Sequence, residues 1–446
     1  MLDYSLLLAV LASIILLLVL VLRLKLPAFL SLFIASIALG IFVGIPAQNI
    51  LKTLQDGMGG TLGFVATVVG LGSLLGGLLE HSGGAQVLAR RLLQVFGEKR
   101  SSWALMCSGF ILAIPVFFDV AFILLVPLVY SLQRKTGKSI LTYALPLLAG
   151  LAITHAFIPP TPGPVAVAEI LSANLGWVIL FGFIVGIPTA IISGPVFSHF
   201  ISAKIHVEAP LLPDDYEDKQ EVIRIQEVLF VVGLPLVLIV LSTLMNSLDG
   251  DKFLNPIVVY TLQLLGHPFG ALLLANLVAW FLLERHHGIR SKTLQHIASS
   301  SLAPAGMIIL LTGAGGTFKQ MLIATEAGKM IAEAIANEGI PLLFFAFSAA
   351  VVIRLLQGSA TVAMITAAGL TAPLVGVDWT APQKALLVLS IAAGASIFSH
   401  VNDSGFWLVS QYLGLDEKQT FRSWSVMTLL IAIVGFFSIC LLSLLV

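Results

Sequence analysis

Charge is what this chain has least of: Asp, Glu, Lys and Arg together make up 10% of its 446 residues, against 58% for the hydrophobic ones. A soluble globular domain carries about 25% charge. A water-soluble fold is therefore excluded, and a lipid bilayer is the expected solvent. Cysteine is nearly absent as well. Cys107 and Cys440 stand far apart in apolar stretches, which leaves no CxxC pattern, no disulfide framework and no basis for zinc or redox chemistry. Neither a metal nor a cofactor is expected. The 23 Lys and Arg balance the 23 Asp and Glu, so there is no basic excess to attract nucleic acid. No HExxH, GxSxG or paired-Asp helix motif occurs, and an intramembrane enzyme would need such a nucleophile–base or metal pair. The apolar run Tyr4–Leu22 has no basic region before it and no small-residue cleavage site, so it reads as a retained first span rather than a signal peptide.

Apolar length is what the chain has in excess. Windows of about 20 apolar residues give full crossings near 4–22, 27–44, 60–79, 140–172, 176–200, 226–245, 268–284, 302–321, 385–410 and 424–446, with 140–172 and 385–410 interrupted. Two further stretches, 102–132 and 341–372, are about 30 residues each. As one straight helix such a stretch would be ~45 Å long, too long for a ~30 Å hydrocarbon core, whereas two arms of about 13 residues reach ~20 Å and can return.

Loop charge decides between crossing and returning. With both stretches re-entrant, 17 Lys and Arg fall on one side and 5 on the other, Arg354 lying inside the second stretch. With both stretches crossing once, the split becomes 11 against 11. Cytoplasmic loops are enriched in Lys and Arg, which favours the re-entrant arrangement in a multi-pass membrane protein with both termini outside. The expected fold is all-α and polytopic: two repeats of five transmembrane helices, each with a re-entrant hairpin and a broken helix. Five crossings per repeat place the second copy upside down relative to the first. The first repeat is 1–201, with scaffold spans in 1–80 and hairpin and broken helix in 102–201. A cytoplasmic linker, 202–225, carries the acidic run Asp214–Asp218. The second repeat is 226–446, with scaffold spans in 226–322 and hairpin and broken helix in 341–446. Gly76-Gly77 before an amphipathic Ala85–Phe96 matches Gly315-Gly316 before Lys329–Asn337.

The interruptions carry the chemistry. Non-helical backbone at membrane depth survives only where protein or water satisfies it, so the four interruptions are expected to converge on one hydrated cavity. Each starts a half-helix whose free N–H groups attract an anion. At the second hairpin tip, Gln357, Gly358, Ser359 and Thr361 combine close backbone approach with hydroxyls that can bond a substrate; the alternative is that these hydroxyls bond only within the hairpin. Asp119, among Phe117, Phe118 and Phe122 in the first hairpin, is an intramembrane carboxyl and by default a functional candidate. It is either a proton carrier or a cap for the hairpin tip. Thr154, His155 and Thr161 lie at the first helix break, and Ser399, His400, Asn402, Asp403 and Ser404 at the second. An imidazole there can bond a hydroxyl, relay a proton or hold the loop. Asp403 is the alternative proton carrier. Arg354, the one cation in its hairpin, can pair with Asp403 or with the substrate.

Six motifs in order, Gly76-Gly77 to Gly83-Gly84, PVFFDVAFILLVPLV, THAFIPPTPGP, the span ending GAGGTFKQ, QGSATVAMITAAGL and FSHVNDSGFW, give the whole chain a resemblance to the gluconate permease family of bacterial hydroxy-acid:proton symporters. The resemblance implies a small organic anion and protons as the transported partners, no enzymatic activity, and a homodimer contact along the scaffold spans. It also implies a mobile unit of hairpin, broken helix and closing span. Members of that family often carry Tyr-Glu where this chain has Phe118-Asp119, and His where it has Thr161. A shorter hydroxy acid therefore competes with gluconate as substrate. A cation/proton antiporter and a sodium-coupled carboxylate transporter are the other readings of Asp-bearing broken helices.

Overall fold

A computed structural model describes residues 4–210, 223–247, 255–325, 341–400 and 403–446. The run Asp214–Asp218, the segment Lys329–Asn337 and Asn402 lie outside the described residues. Helix is the regular structure throughout the described residues, with no strand among them. The first half is built from α1 (Tyr4–Leu22), α2 (Ala28–Val43), α3 (Ala47–His81), α4 (Gly84–Phe96), α5 (Ser101–Leu112), α6 (Phe118–Thr136), α7 (Leu141–Phe157), α8 (Pro162–Ile170) and α9 (Leu175–Ser202). The second contains α10 (Ile225–Ser247), α11 (Pro256–Gly266), α12 (Pro268–His286), α13 (Ser291–Ala324), α14 (Leu342–Gln357), α15 (Ala360–Thr371), α16 (Ala381–Ala395), α17 (Ser404–Leu413) and α18 (Glu417–Ser443). Among the described residues, six helical stretches are long and apolar enough to cross a membrane, α7 and α8 together forming one of them. Large apolar side chains such as Ile15, Phe42, Phe230, Val237 and Phe437 point outward, as a lipid-facing surface requires.

Three elements depart from the sequence expectation, one of them the span placed at 302–321, which belongs to a helix that starts at Ser291. The span placed at 60–79 belongs to a helix that starts at Ala47; its first three turns carry Lys52, Gln55 and Asp56 and so fall below an apolar window. Helix α11 was not expected at all. Its 11 residues are too few for a 20-residue window, but Asn255 caps it and Pro256 starts it, as helix N-termini favour.

Inside the molecule, α7, α8 and α16 are almost wholly buried. The long helices α3 and α13 lie antiparallel along each other, Gly57 meeting Gly316 and Gly77 meeting Ser301, α2 packs on α13, and α12 packs on α3. Helix α5 lies along α7, and α14 lies along α16. Both pairs run parallel: Ser102 bonds the Thr142 carbonyl and Thr154 that of Phe110, while Ser390 bonds the Leu343 carbonyl and Gly394 lies against that of Phe347. Lys135, in the last turn of α6, pairs with Glu98, just before α5. The hydrogen bond from Lys135 holds the Glu98 carboxyl below its ordinary range. The chain thus leaves and returns to the same end of the molecule between residues 98 and 135.

The α5–α7 contact depends on two glycines. A Cβ on Gly150 would stand 2.2 Å from the Met106 carbonyl oxygen, and one on Gly109 would stand 2.4 Å from that of Leu147. Backbone cannot move aside as a side-chain end can, and small residues are what let membrane helices approach this closely. Gly150→Ala should therefore destabilise the protein by at least the ~1–3 kcal/mol typical of overpacking. A melting temperature in detergent equal to the parent's would show that the two helices separate at little cost.

Candidate functional site

Four half-helices start around one cavity. Phe117, Phe118 and Asp119 reach it from the N-terminus of α6, Gly163 from α8, Ser359, Ala360 and Thr361 from α15, and Asp403, Ser404 and Gly405 from α17. The first N–H groups of a helix have no partner within it, so each start presents donors and a positive dipole end. Helix α8 presents fewest, because Pro162 and Pro164 carry no N–H. The cavity encloses about 440 Å³, within the range of small-molecule sites.

Its charge is set by three side chains. Arg354, 5% exposed, donates from Nη1 to the Gly358 carbonyl and from Nη2 to Asp403 Oδ2. A guanidinium has five N–H bonds, so donors remain for a ligand. Asp403 is fully engaged: Oδ2 also accepts from Ser399 Oγ, and Oδ1 accepts from the Gly405 amide at 3.0 Å, capping α17. Asp119 opens onto the same space with no ion-pair partner among the described residues. Gly358 closes α14 at φ +83°, where a side chain would be strained, and this turn aims Ser359 into the cavity while its Oγ caps α15.

Seven of the residues singled out from sequence line this cavity: Asp119, His155, Gln357, Gly358, Ser359, Thr361 and Ser404; so do Arg354 and the second proton candidate, Asp403. Asn402 lies outside the described residues, and Thr154, Thr161, Ser399 and His400 are turned elsewhere. Thr154 donates to the Phe110 carbonyl at 2.8 Å and sews α7 to α5. Thr161 donates to the Ile158 carbonyl at 2.6 Å and holds the first break. His400 Nε2 lies 3.0 Å from the Leu355 carbonyl. Ser399 stands behind Asp403 and accepts from Trp424 Nε1 at 2.7 Å. Trp424 and Thr428 are cavity residues that sequence reasoning missed. A π-helical turn at Phe421–Ser425 rotates Trp424 inward, 5.7 Å from the Phe118 ring. The available signal was Arg422-Ser423-Trp424-Ser425, a polar stretch at the start of an apolar span.

The GntP family permease profile matches residues 5–445. A gluconate permease of Pseudomonas aeruginosa is 41% identical over 99% of this chain and 98% of its own length. The low-affinity gluconate transporter of Escherichia coli K12 is 37% identical over 97% of this chain and 96% of its own. The Gnt-II system L-idonate transporter of the same strain is 35% identical over 95% and 96%. Among solved structures, the Alcanivorax borkumensis YdaH transporter superposes with a TM-score of 0.66 at 14% identity, covering 93% of this chain and 97% of that one. That likeness speaks for the fold alone.

Proposed function

This chain belongs to the GntP family of permeases, multi-pass proteins of the inner membrane, and on that premise we propose that it imports gluconate or a shorter hydroxy monocarboxylate by proton symport. One observation carries the substrate class: four half-helix N-termini and one guanidinium surround a single cavity. That arrangement suits a monoanion. Gln357, Ser359, Thr361 and Ser404 supply partners for the hydroxyls of a sugar acid. Asp119 is the proton carrier. The sugar acids in the names of the relatives support the same class.

The two halves are inverted repeats, each with a re-entrant hairpin. The return of 98–135 to one end and the parallel pairs α5–α7 and α14–α16 support this; so does the exchange in which α2 packs on α13 and α12 on α3. Both termini face outward, and the basic loops at 90–100 and 134–138 face the cytoplasm.

Purified protein in proteoliposomes should concentrate labelled gluconate or a four-carbon aldonate when protons are driven inward. Uptake that needs sodium, or none under either gradient, would sink the symport. In a background lacking Cys107 and Cys440, single cysteines at the exposed positions Gln94 and Thr136 should both be labelled from the cytoplasmic side only. Labelling from opposite sides would remove the first hairpin and with it the inverted repeat.

A further inference from the structure

His155 also borders a second space. A cavity of about 10 Å³ is walled by Gly72 and Ser73 of α3, by Ile114–Phe117 at the first hairpin tip, and by His155 and Pro160–Pro162 at the first helix break. Two polar side-chain atoms are buried here without a hydrogen bond among the described residues, Ser73 Oγ and His155 Nδ1, and Ser73 is only 7% exposed. Buried polar atoms nearly always have a partner, and these two come from different helices. A third group faces the same place. The helical donor for the Pro160 carbonyl would be residue 164, a proline with no N–H, and a Cβ on Gly72 would stand 3.6 Å from that carbonyl oxygen. Glycine at 72 keeps this space clear.

Room for about one water-sized sphere, with two to four polar groups around it, is what a buried water needs. We propose that this cavity holds one ordered water bonded to both Ser73 Oγ and His155 Nδ1, and that Ser73 thereby acts as a positioning residue for His155. The bond made by one imidazole nitrogen determines whether the other offers a donor or an acceptor. With Nδ1 tied to the water, the ring is held in one orientation towards the substrate in the central cavity. The water also ties α3, which contributes nothing to the central cavity among its described lining residues, to the broken helix that does. The part played by the substrate rests on the function proposed above; the water itself does not.

Two measurements decide the matter. A structure determined at a resolution that reveals waters should show one within about 3.2 Å of both atoms; a dry cavity overturns the assignment whatever the substrate is. Gluconate affinity should then be measured for Ser73→Ala, His155→Ala and the double variant. Ser73→Ala should weaken binding roughly 5-fold or more, in line with one lost hydrogen bond, and Ser73→Thr should recover most of it. Adding Ser73→Ala to His155→Ala should change nothing further, because the serine acts only through the histidine. Losses that simply add would overturn the positioning role. A parent that binds no aldonate of four to six carbons would sink the substrate reading and this role together, leaving the water to the density.

Discussion

Asp119→Asn protein in proteoliposomes should exchange labelled for unlabelled gluconate across the membrane, yet lose accumulation against an imposed pH gradient. A monocarboxylate entering alone works against an inside-negative potential, at about 2.3 kcal/mol per charge per 100 mV. One accompanying proton cancels that cost, so concentrative uptake needs a proton carrier in the cavity. Both cavity carboxylates are acids, but they are not equivalent. Asp403 accepts from Arg354, Ser399 and the Gly405 amide, bonds that a proton on it would have to displace. Asp119 lines the same cavity with no such partner among the described residues, beside Phe118 and its stacked neighbour Phe122. Asparagine keeps the shape and can still bond a hydroxyl, so exchange survives while coupling is lost. Should the variant concentrate substrate as well as the parent does, the proton site moves to Asp403 or a histidine.

Removal of the guanidinium should have the other large effect. Arg354→Met takes away the cavity's cation and leaves Asp403 buried without its charge partner, a change that costs about 3–5 kcal/mol in comparable buried pairs. Uptake should fall 100-fold or more, and the melting temperature should drop as well. These two losses have different origins and can be separated. Arg354→Met combined with Asp403→Asn removes both charges, so the melting temperature should recover towards the parent's while uptake stays at background. Recovery of uptake in the double variant would show that Arg354 only neutralises Asp403 and never meets the substrate.

The breaks themselves were legible in the sequence because backbone chemistry dictates them. Pro159 and Pro160 stand in the break and cannot continue α7, Pro162 starts α8 at a position where proline is favoured, and Gly358 between Gln357 and Ser359 is a natural left-handed helix end. Loop charge and span length were enough to expect two hairpins, and composition alone put the chain in a membrane. Which residue at a break faces the cavity was not legible. Thr154 and His155 are adjacent, but one residue turns a helix by about 100°, so Thr154 meets the Phe110 carbonyl and His155 meets the cavity. The same rotation, altered by a π-turn, carried Trp424 inward. Arg354 and Asp403 are 49 residues apart, and nothing local chooses Asp403 over a substrate as the partner of that guanidinium. Local backbone preferences and hydrophobic length act along the chain, and the sequence by itself determined where the helices run and where they must stop. The direction in which each polar side chain points, and therefore who meets whom in the cavity, was decided only when α5 locked onto α7 and α14 onto α16, because packing between helices sets their rotation.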